Sequence, residues 1–361
     1  MEGNRWAIFL CLFLFVSCGG EPKEEASDVS ETPERILVKF KEPHPGFGLQ
    51  ASKTPSDRIK TIESSLTSAV KVEKLNNDLY CVELKNGTNI KGAVDLISQK
   101  GDVEFAEPDY LVHAFFEPND PLISQQWAHA VVKSQKAWDL SKGSRKIIVG
   151  VIDTGIDPSH PDLKANLWNN DDEIAGNGID DDDNGFIDDT YGWDFANNDR
   201  DPIADDRQGY HGTHVSGTVG AVGDNGDGIA GHALKVELMA LKFLRGNGSG
   251  NVSDAVRAID YAIDNGAHIL NNSWGGSQNS SALRDAVQRA RDAGILFVVA
   301  AGNGGFDGRG DNIDQFPTYP ASYQIDNVLA VAATGRTDSL TSFSNFGPNS
   351  VHVAAPGEDI Y

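Results

Sequence analysis

From Arg35 to about His113 the apolar positions alternate in short runs and then recur at helical spacing, twice over. "RILVKF" alternates, and "SDRIKTIESSL" sets Ile59, Ile62 and Leu66 on one helical face. "VKVEKL" and "LYCVEL" alternate on either side of the turn "NND"; "IKGAVDLISQK" returns to the helical period, and "VEFAEPDYLVHA" closes the set. After about Pro118 the pattern changes. "KIIVGVID" and "VELMALKFL" are continuous apolar runs, as expected of parallel strands covered on both faces. A helix starts at Ser253, carries Val256, Ile259 and Ile263 on one side and stops at Gly266, and "AHILNNS" follows as a strand. A second helix presents Leu283, Ala286, Val287 and Ala290, stops at Gly294, and leads into the strand "ILFVVAAGN"; "NVLAVAAT" adds another.

The first set, strand, helix, strand, strand, helix, strand, predicts a small α+β ferredoxin-like domain over residues 34–115. The second predicts an α/β domain over residues 116–361, built on a doubly wound, mostly parallel sheet. Ligands of such sheets lie beyond the carboxyl ends of the strands.

Ahead of both, "MEGNRWAIFLCLFLFVSCGG" holds one early Arg5 and an apolar run from Trp6 to Val16, too short for a permanent membrane span. Residues 1–17 read as a signal peptide. Cys18 before Gly19 and Gly20 resembles the lipidated cysteine of a bacterial lipoprotein, with Phe15 in place of the usual leucine; an ordinary export signal is the alternative. Either makes the chain exported, to the bacterial cell envelope or beyond it, and lipidation would make a membrane its partner. Residues 18–33 are polar and acidic, a solvated tether. Of the three cysteines only Cys81 lies outside the leader, so no internal disulfide is expected. The formal net charge of −23 excludes a nucleic-acid partner, because a phosphate backbone would be repelled over most of the surface.

More than half of that charge is local. Between Asp171 and Asp206 there are 14 acidic residues and a single base, Arg200. In "DDDDNGFIDD", Asp180, Asp182 and Asn184 alternate, Gly185 permits a sharp turn, Phe186 offers a carbonyl, and Asp188 and Asp189 stand behind. These hard oxygens are spaced to wrap one Ca²⁺, without the bidentate glutamate that closes a helix-loop-helix site.

Asp153 ends the strand "IIVGVID", Asn303 ends "ILFVVAAGN", and His211 opens the helix of "HGTHVSG". All three can converge on one edge of the sheet. An aspartate beside a histidine fixes its tautomer and stabilises the imidazolium, and a nearby amide can donate to a developing oxyanion. "VIDTGID", "HGTHVSG", "NNSWGG" and "AAGN", in that order, resemble the subtilisin-like serine peptidases from about Pro118 to the last residue.

That resemblance implies a calcium-stabilised serine endopeptidase precursor acting on protein or peptide substrates through an acyl-enzyme. It makes Asp153 the orienting carboxylate, His211 the general base and acid, Asn303 the oxyanion donor, and His214 structural. It sets Ser273, Trp274 and Gly275 on one side of an extended substrate and Gly248, Ser249 and Gly250 on the other. Trp274 and the groove glycines then point to a tolerant pocket for large apolar side chains. A second calcium site follows from Asn225 with Gly223, Asp227 and Ile229 in "GDNGDGIAG", joined by Asp162 and Asp120. "FAEPDYLVHA" is similar to the end of the family's inhibitory propeptide, which occupies its own enzyme's groove; maturation would fall near Phe115, with His113 and Ala114 before it.

The sequence departs from the family in one respect. No Gly-Thr-Ser-Met-Ala-like turn carrying the nucleophile occurs in it; Ser273 and Ser344 lack the strand-to-helix setting. The 361 residues are therefore expected to be inactive as they stand, as a C-terminally truncated fragment of a longer chain or as a shortened protein. A pseudoprotease or protease inhibitor is the non-enzymatic alternative, and a calcium-dependent adhesion module a further one, which would need none of Asp153, His211 and Asn303.

Overall fold

The computed structural model describes residues 35–41, 54–76, 78–110, 116–203, 210–305 and 307–361. The stretches read as a signal peptide and a tether, Cys18, and the expected maturation segment His113, Ala114 and Phe115 lie outside the described residues. The chain divides into two compact units between Ala114 and Phe115.

The first unit runs β1 (Arg35–Phe40), α1 (Pro55–Ser65), β2 (Ala69–Lys74), β3 (Leu79–Leu84), α2 (Ile90–Ser98) and β4 (Val103–Pro108). Its sheet has the order β2-β3-β1-β4 with antiparallel neighbours, Val38 lying opposite both Tyr80 and Ala106. Alternation in β1 and β3 puts Ile36, Val38, Phe40, Tyr80, Val82 and Leu84 on one face, where Ile62, Leu66, Ala93 and Ile97 cover them. A capping box starts α1: Thr54 Oγ1 accepts from Asp57 N at 3.3 Å, and Asp57 Oδ2 accepts from Thr54 N at 3.0 Å, with Pro55 at the first helical position.

The second unit contains α3 (Ala128–Val132), α4 (Ser134–Leu140), β5 (Gly143–Asp153), β6 (Gly192–Asp194), α5 (His211–Gly220), β7 (Lys235–Lys242), α6 (Val252–Asp264), β8 (Ile269–Asn272), α7 (Ser281–Asp292), β9 (Leu296–Ala300), β10 (Val328–Thr334) and β11 (Val353–Pro356). Seven strands in the order β11-β10-β9-β8-β5-β7-β6 pair in parallel throughout. β5 is the seam: the chain builds β6 and β7 on one side of it, then crosses to β8 and proceeds outward. A continuous apolar strand is what this double cover demands. Val149 and Val151 of β5 bury against Val215 and Val219 of α5, whereas Ile152 joins Leu270, Phe297 and the apolar stripes of α6 and α7 on the opposite face. Each such side chain, fully buried, stabilises the fold by roughly 1.5–3 kcal/mol.

Candidate active site

The sheet delivers Asp153, Ser273 and Asn303 to one edge, because each stands at or just past the carboxyl end of a neighbouring strand, β5, β8 and β9. Asp153 is fully buried. Its Oδ1 lies 2.7 Å from His211 Nδ1 and accepts the Thr154 N–H, also at 2.7 Å. His211 is the first residue of α5, and the glycine after it allows the helix to come so near. A Cβ at Gly212 would stand 2.4 Å from the Gly155 carbonyl oxygen and 3.1 Å from Asp153 Cβ. Thr154 Oγ1 then accepts the Gly212 N–H at 2.9 Å, tying helix start to strand end. Gly155 turns the chain away with φ +106°, where a side chain would strike the Pro202 carbonyl.

Burial opposes protonation of His211, but the Asp153 charge and its hydrogen bond outweigh burial and hold the imidazole above its ordinary pKa of 6.5. With a carboxylate on Nδ1, the proton resides there and Nε2 is the basic nitrogen. His214, one turn along, borders the same cleft. Burial and the neighbouring His211 push its pKa down, and its Nδ1 is buried without a partner among the described residues.

The cleft in front of His211 has a volume of about 730 Å³. Trp274, Gly275 and Gly276 border it on one side and Gly302–Gly305 on another, with Gly248 also reaching it. Asn303 is exposed there, and its amide has no hydrogen-bond partner among the described residues. Ser273 lines the cleft too, but Ser249 and Gly250 do not. Ser249 sits in the 245–249 turn, its N–H and hydroxyl donating to Asn247 Oδ1 at 3.0 and 2.7 Å, and Gly250 passes so close to the Phe243 carbonyl that a Cβ would be 2.5 Å from it. An oriented imidazole, a free amide donor and a glycine-walled trough suit acyl transfer on an extended chain.

Comparison with known proteins agrees with this chemistry. Residues 144–361 match the Subtilase family. The thermophilic serine proteinase of Bacillus sp. (strain AK1) is 33% identical over 98% of this chain and 80% of its own length. Thermitase of Thermoactinomyces vulgaris is 37% identical over 68% of this chain and 75% of its own. The extracellular basic protease of Dichelobacter nodosus is 35% identical over 93% of this chain and 58% of its own. A solved protease from Pseudoalteromonas arctica superposes with a TM-score of 0.53 at 32% identity, covering 66% of this chain and 72% of that one. The chain belongs to the Subtilase family. Its reaction class is accordingly that of a serine-type endopeptidase, with proteins as substrates.

Away from the cleft, this subtilase gathers acidic oxygens in two places. In the acidic loop, carboxylate oxygens of Glu173, Asp182 and Asp189 all lie within 4.8 Å of one another, and Asp189 is fully buried. Asn170 Nδ2 donates to Asp182 Oδ2 at 3.1 Å and Asp189 Oδ1 at 2.9 Å; Asn184 Nδ2 donates to the same Asp182 Oδ2 at 2.9 Å and to Asp189 Oδ2 at 3.0 Å. The Tyr261 hydroxyl donates to Asp189 Oδ2 at 2.5 Å. Burial raises the Asp189 pKa, as close like charges would without a cation. The other predicted ligands are placed differently. Asp180 accepts the N–H groups of Asn184 and Gly185 at 3.0 and 2.8 Å; Asp188 pairs with Arg200; the Phe186 ring packs edge-on against Trp193 and Tyr261, 5.1 and 4.9 Å away. Glu173 and Asn170 were not foreseen, since both precede the alternating run and only the fold returns the loop to them.

At the second place, Asp162 Oδ1 accepts from Asn225 Nδ2 at 2.8 Å and Oδ2 from Ile229 N at 2.9 Å. Asn225 Oδ1 accepts from Asp227 N at 2.8 Å, and Asp120 Oδ2 from Asp224 N at 2.7 Å. Gly223 packs so tightly beside Leu234 that a Cβ would lie 2.4 Å from it. Asp120 and Asp162 are buried, burial raises both pKa values, and Asp120 Oδ1 has no partner among the described residues. A buried orphan carboxylate oxygen beside hard-oxygen neighbours fits a calcium ion.

Proposed function

We propose that this chain holds all but the nucleophile of a secreted, calcium-stabilised subtilase active site. Asp153 orients His211 and stabilises its imidazolium. His211 Nε2 takes the proton from the attacking serine and later gives it to the leaving amine. Asn303 donates to the oxyanion of the tetrahedral intermediate. The serine belongs on a Gly-Thr-Ser-Met-Ala-like turn, which the 361 residues do not contain. The observation that carries this reading is the 2.7 Å contact between His211 Nδ1 and buried Asp153 at the mouth of a glycine-walled cleft. Extended peptide pairs with the 273–275 segment and runs past Gly248, and residues 34–115 serve as a propeptide whose tail fills the groove until maturation near Phe115.

Glu173, Asp182 and Asp189 would hold one Ca²⁺, with Asp180, Asn184, Phe186 and Asp188 shaping the loop around it; Asp120, Asp162 and Asn225, with the backbone at Gly223, Asp227 and Ile229, would hold another. Bound calcium would neutralise buried carboxylates that otherwise repel. The extracellular protease of Dichelobacter nodosus is a relative of this chain, and the leader supports export, with Cys18 as the lipid acceptor.

The test joins the serine turn and helix of a related subtilase after Tyr361. The 361-residue chain is expected to hydrolyse no casein and the extended one to do so, with Asp153→Asn and His211→Ala lowering its kcat on the order of 10⁴-fold or more. Undiminished hydrolysis in the His211→Ala variant would overturn the assignment.

A further inference from the structure

One carboxylate in the cleft has no counter-charge among the described residues. Asp311 borders it beside Gly304 and Gly305, its Oδ2 3.3 Å from where a Cβ on Gly305 would be. The backbone there is pinned: Asp311 N donates to Asn345 Oδ1 at 2.8 Å, and Phe346 N donates to Asp311 O at 2.9 Å. Asn345 is buried and also accepts from Gly304 N at 2.8 Å, so Asp311 and the 302–305 loop are held as one wall. No described residue makes an ion pair or hydrogen bond with the Asp311 carboxylate, and among the described residues no lysine, arginine or second carboxylate lines the cleft.

The trough between the two glycine walls is narrow. Thr318 Cγ2 stands 3.1 Å from a Cβ position on Gly275 and 3.7 Å from one on Gly302, so the two glycine walls close on the same methyl group. Phe316, 68% exposed, borders the cleft as well and offers an aromatic face to an alkyl stem or a cation. Trp274, the reason to expect a large apolar guest, has its ring edge-on to Phe243 at 4.8 Å, committed to the core.

We propose that Asp311 is a specificity-determining residue, selecting peptides that place a lysine or arginine side chain between the Gly275 and Gly302–Gly305 walls. The inference rests on the reading of this cleft as the substrate groove. A half-buried carboxylate facing no cation is complementary to a long, thin, positively charged side chain, whose stem fits the slot and whose head reaches the charge.

The full 361-residue chain tests it by binding. Fluorescent peptides Ala-Ala-Pro-Lys, Ala-Ala-Pro-Leu and Ala-Ala-Pro-Glu are titrated by anisotropy up to millimolar levels, the effective concentration of a tethered competitor. The lysine peptide is expected to bind about tenfold tighter than the leucine peptide, with the glutamate peptide weakest. Asp311→Asn should abolish the lysine advantage, Asp311→Glu should retain it, and high salt should shrink it. Equal binding of lysine and leucine peptides, or a preference that survives Asp311→Asn in a variant with an unchanged melting temperature, overturns the role of Asp311. Failure of every peptide to bind, in the chain cleaved near Phe115 as well as in the intact one, overturns the groove itself.

Discussion

His211 is subject to opposed influences of burial and charge, and the balance is measurable in this chain without any nucleophile. Because Asp153 raises its pKa above 6.5, the pair's contribution to stability is fully present below 6.5 and is lost as pH rises through the folded value. An NMR titration should find His211 titrating above 6.5. Asp153→Asn should move it below that, since burial would then act unopposed. Gly212 is the steric counterpart: alanine there must displace the Gly155 carbonyl, now 2.4 Å from the added Cβ. That overpacking costs about 1–3 kcal/mol and separates the ring from its carboxylate. Gly212→Ala should therefore lower the melting temperature and the His211 pKa together. A variant with a lower melting temperature and an unaltered His211 titration would show that Gly212 serves packing alone.

At the scale of elements, α3 and α4 are fastened to the loop before β7 by a buried polar cluster. His129 Nδ1 lies 2.8 Å from Ser134 Oγ, His129 Nε2 lies 2.9 Å from the Ala230 carbonyl, and the His129 and His232 rings meet at a 48° tilt with centroids 4.4 Å apart. Burial lowers the His129 pKa to about 4. A depressed histidine stabilises the fold above 6.5 and loses that contribution as pH falls from 6.5 toward about 4, on the order of 3 kcal/mol over the window. Melting temperatures measured from pH 7 to pH 4 should drop steeply, and His129→Leu should flatten the drop. None of this cluster was legible in the sequence, where the two histidines are 103 positions apart in runs without motif character. Strands with strong patterns were legible: β9 and β10 fall inside the apolar runs that predict them, and β5 and β7 overlap theirs but start three residues and one residue earlier. β6 and β11 were not, being three and four residues long, and β6 lies within the acidic stretch. Asp153 and His211, which the fold brings into contact, were legible because one ends a strand two residues before a glycine and the other opens a helix just before one. Ser249 and Gly250 were placed on a groove wall, but the turn made by Asn247 takes them out of the cleft.

For the whole molecule the governing quantity is charge. Of the net −23, the stretch from Asp171 to Asp206 contributes −13, and folding buries Asp189 and Glu173 from it while also burying Asp120 and Asp162 elsewhere. With no disulfide among the described residues, no covalent cross-link there offsets that repulsion. Calcium at the two proposed sites, binding only the folded state, would offset it by mass action, about 2.7 kcal/mol per site at a hundredfold excess over Kd. For a domain of this size that corresponds to on the order of 5–10 °C in Tm per site. Melting should therefore fall by that amount in excess chelator and recover when calcium, but not magnesium, is restored, since a smaller octahedral ion suits neither oxygen set. The two sites separate by substitution. Asp189→Asn should remove one increment and leave the other, and Asp120→Asn should do the reverse, because they lie in different segments and share no ligand. Trp193, edge-on to Phe186 in the acidic loop, should report the first step by fluorescence and stay silent through the second. A melt indifferent to chelator would mean that the backbone N–H and amide donors around these carboxylates already balance them without a cation.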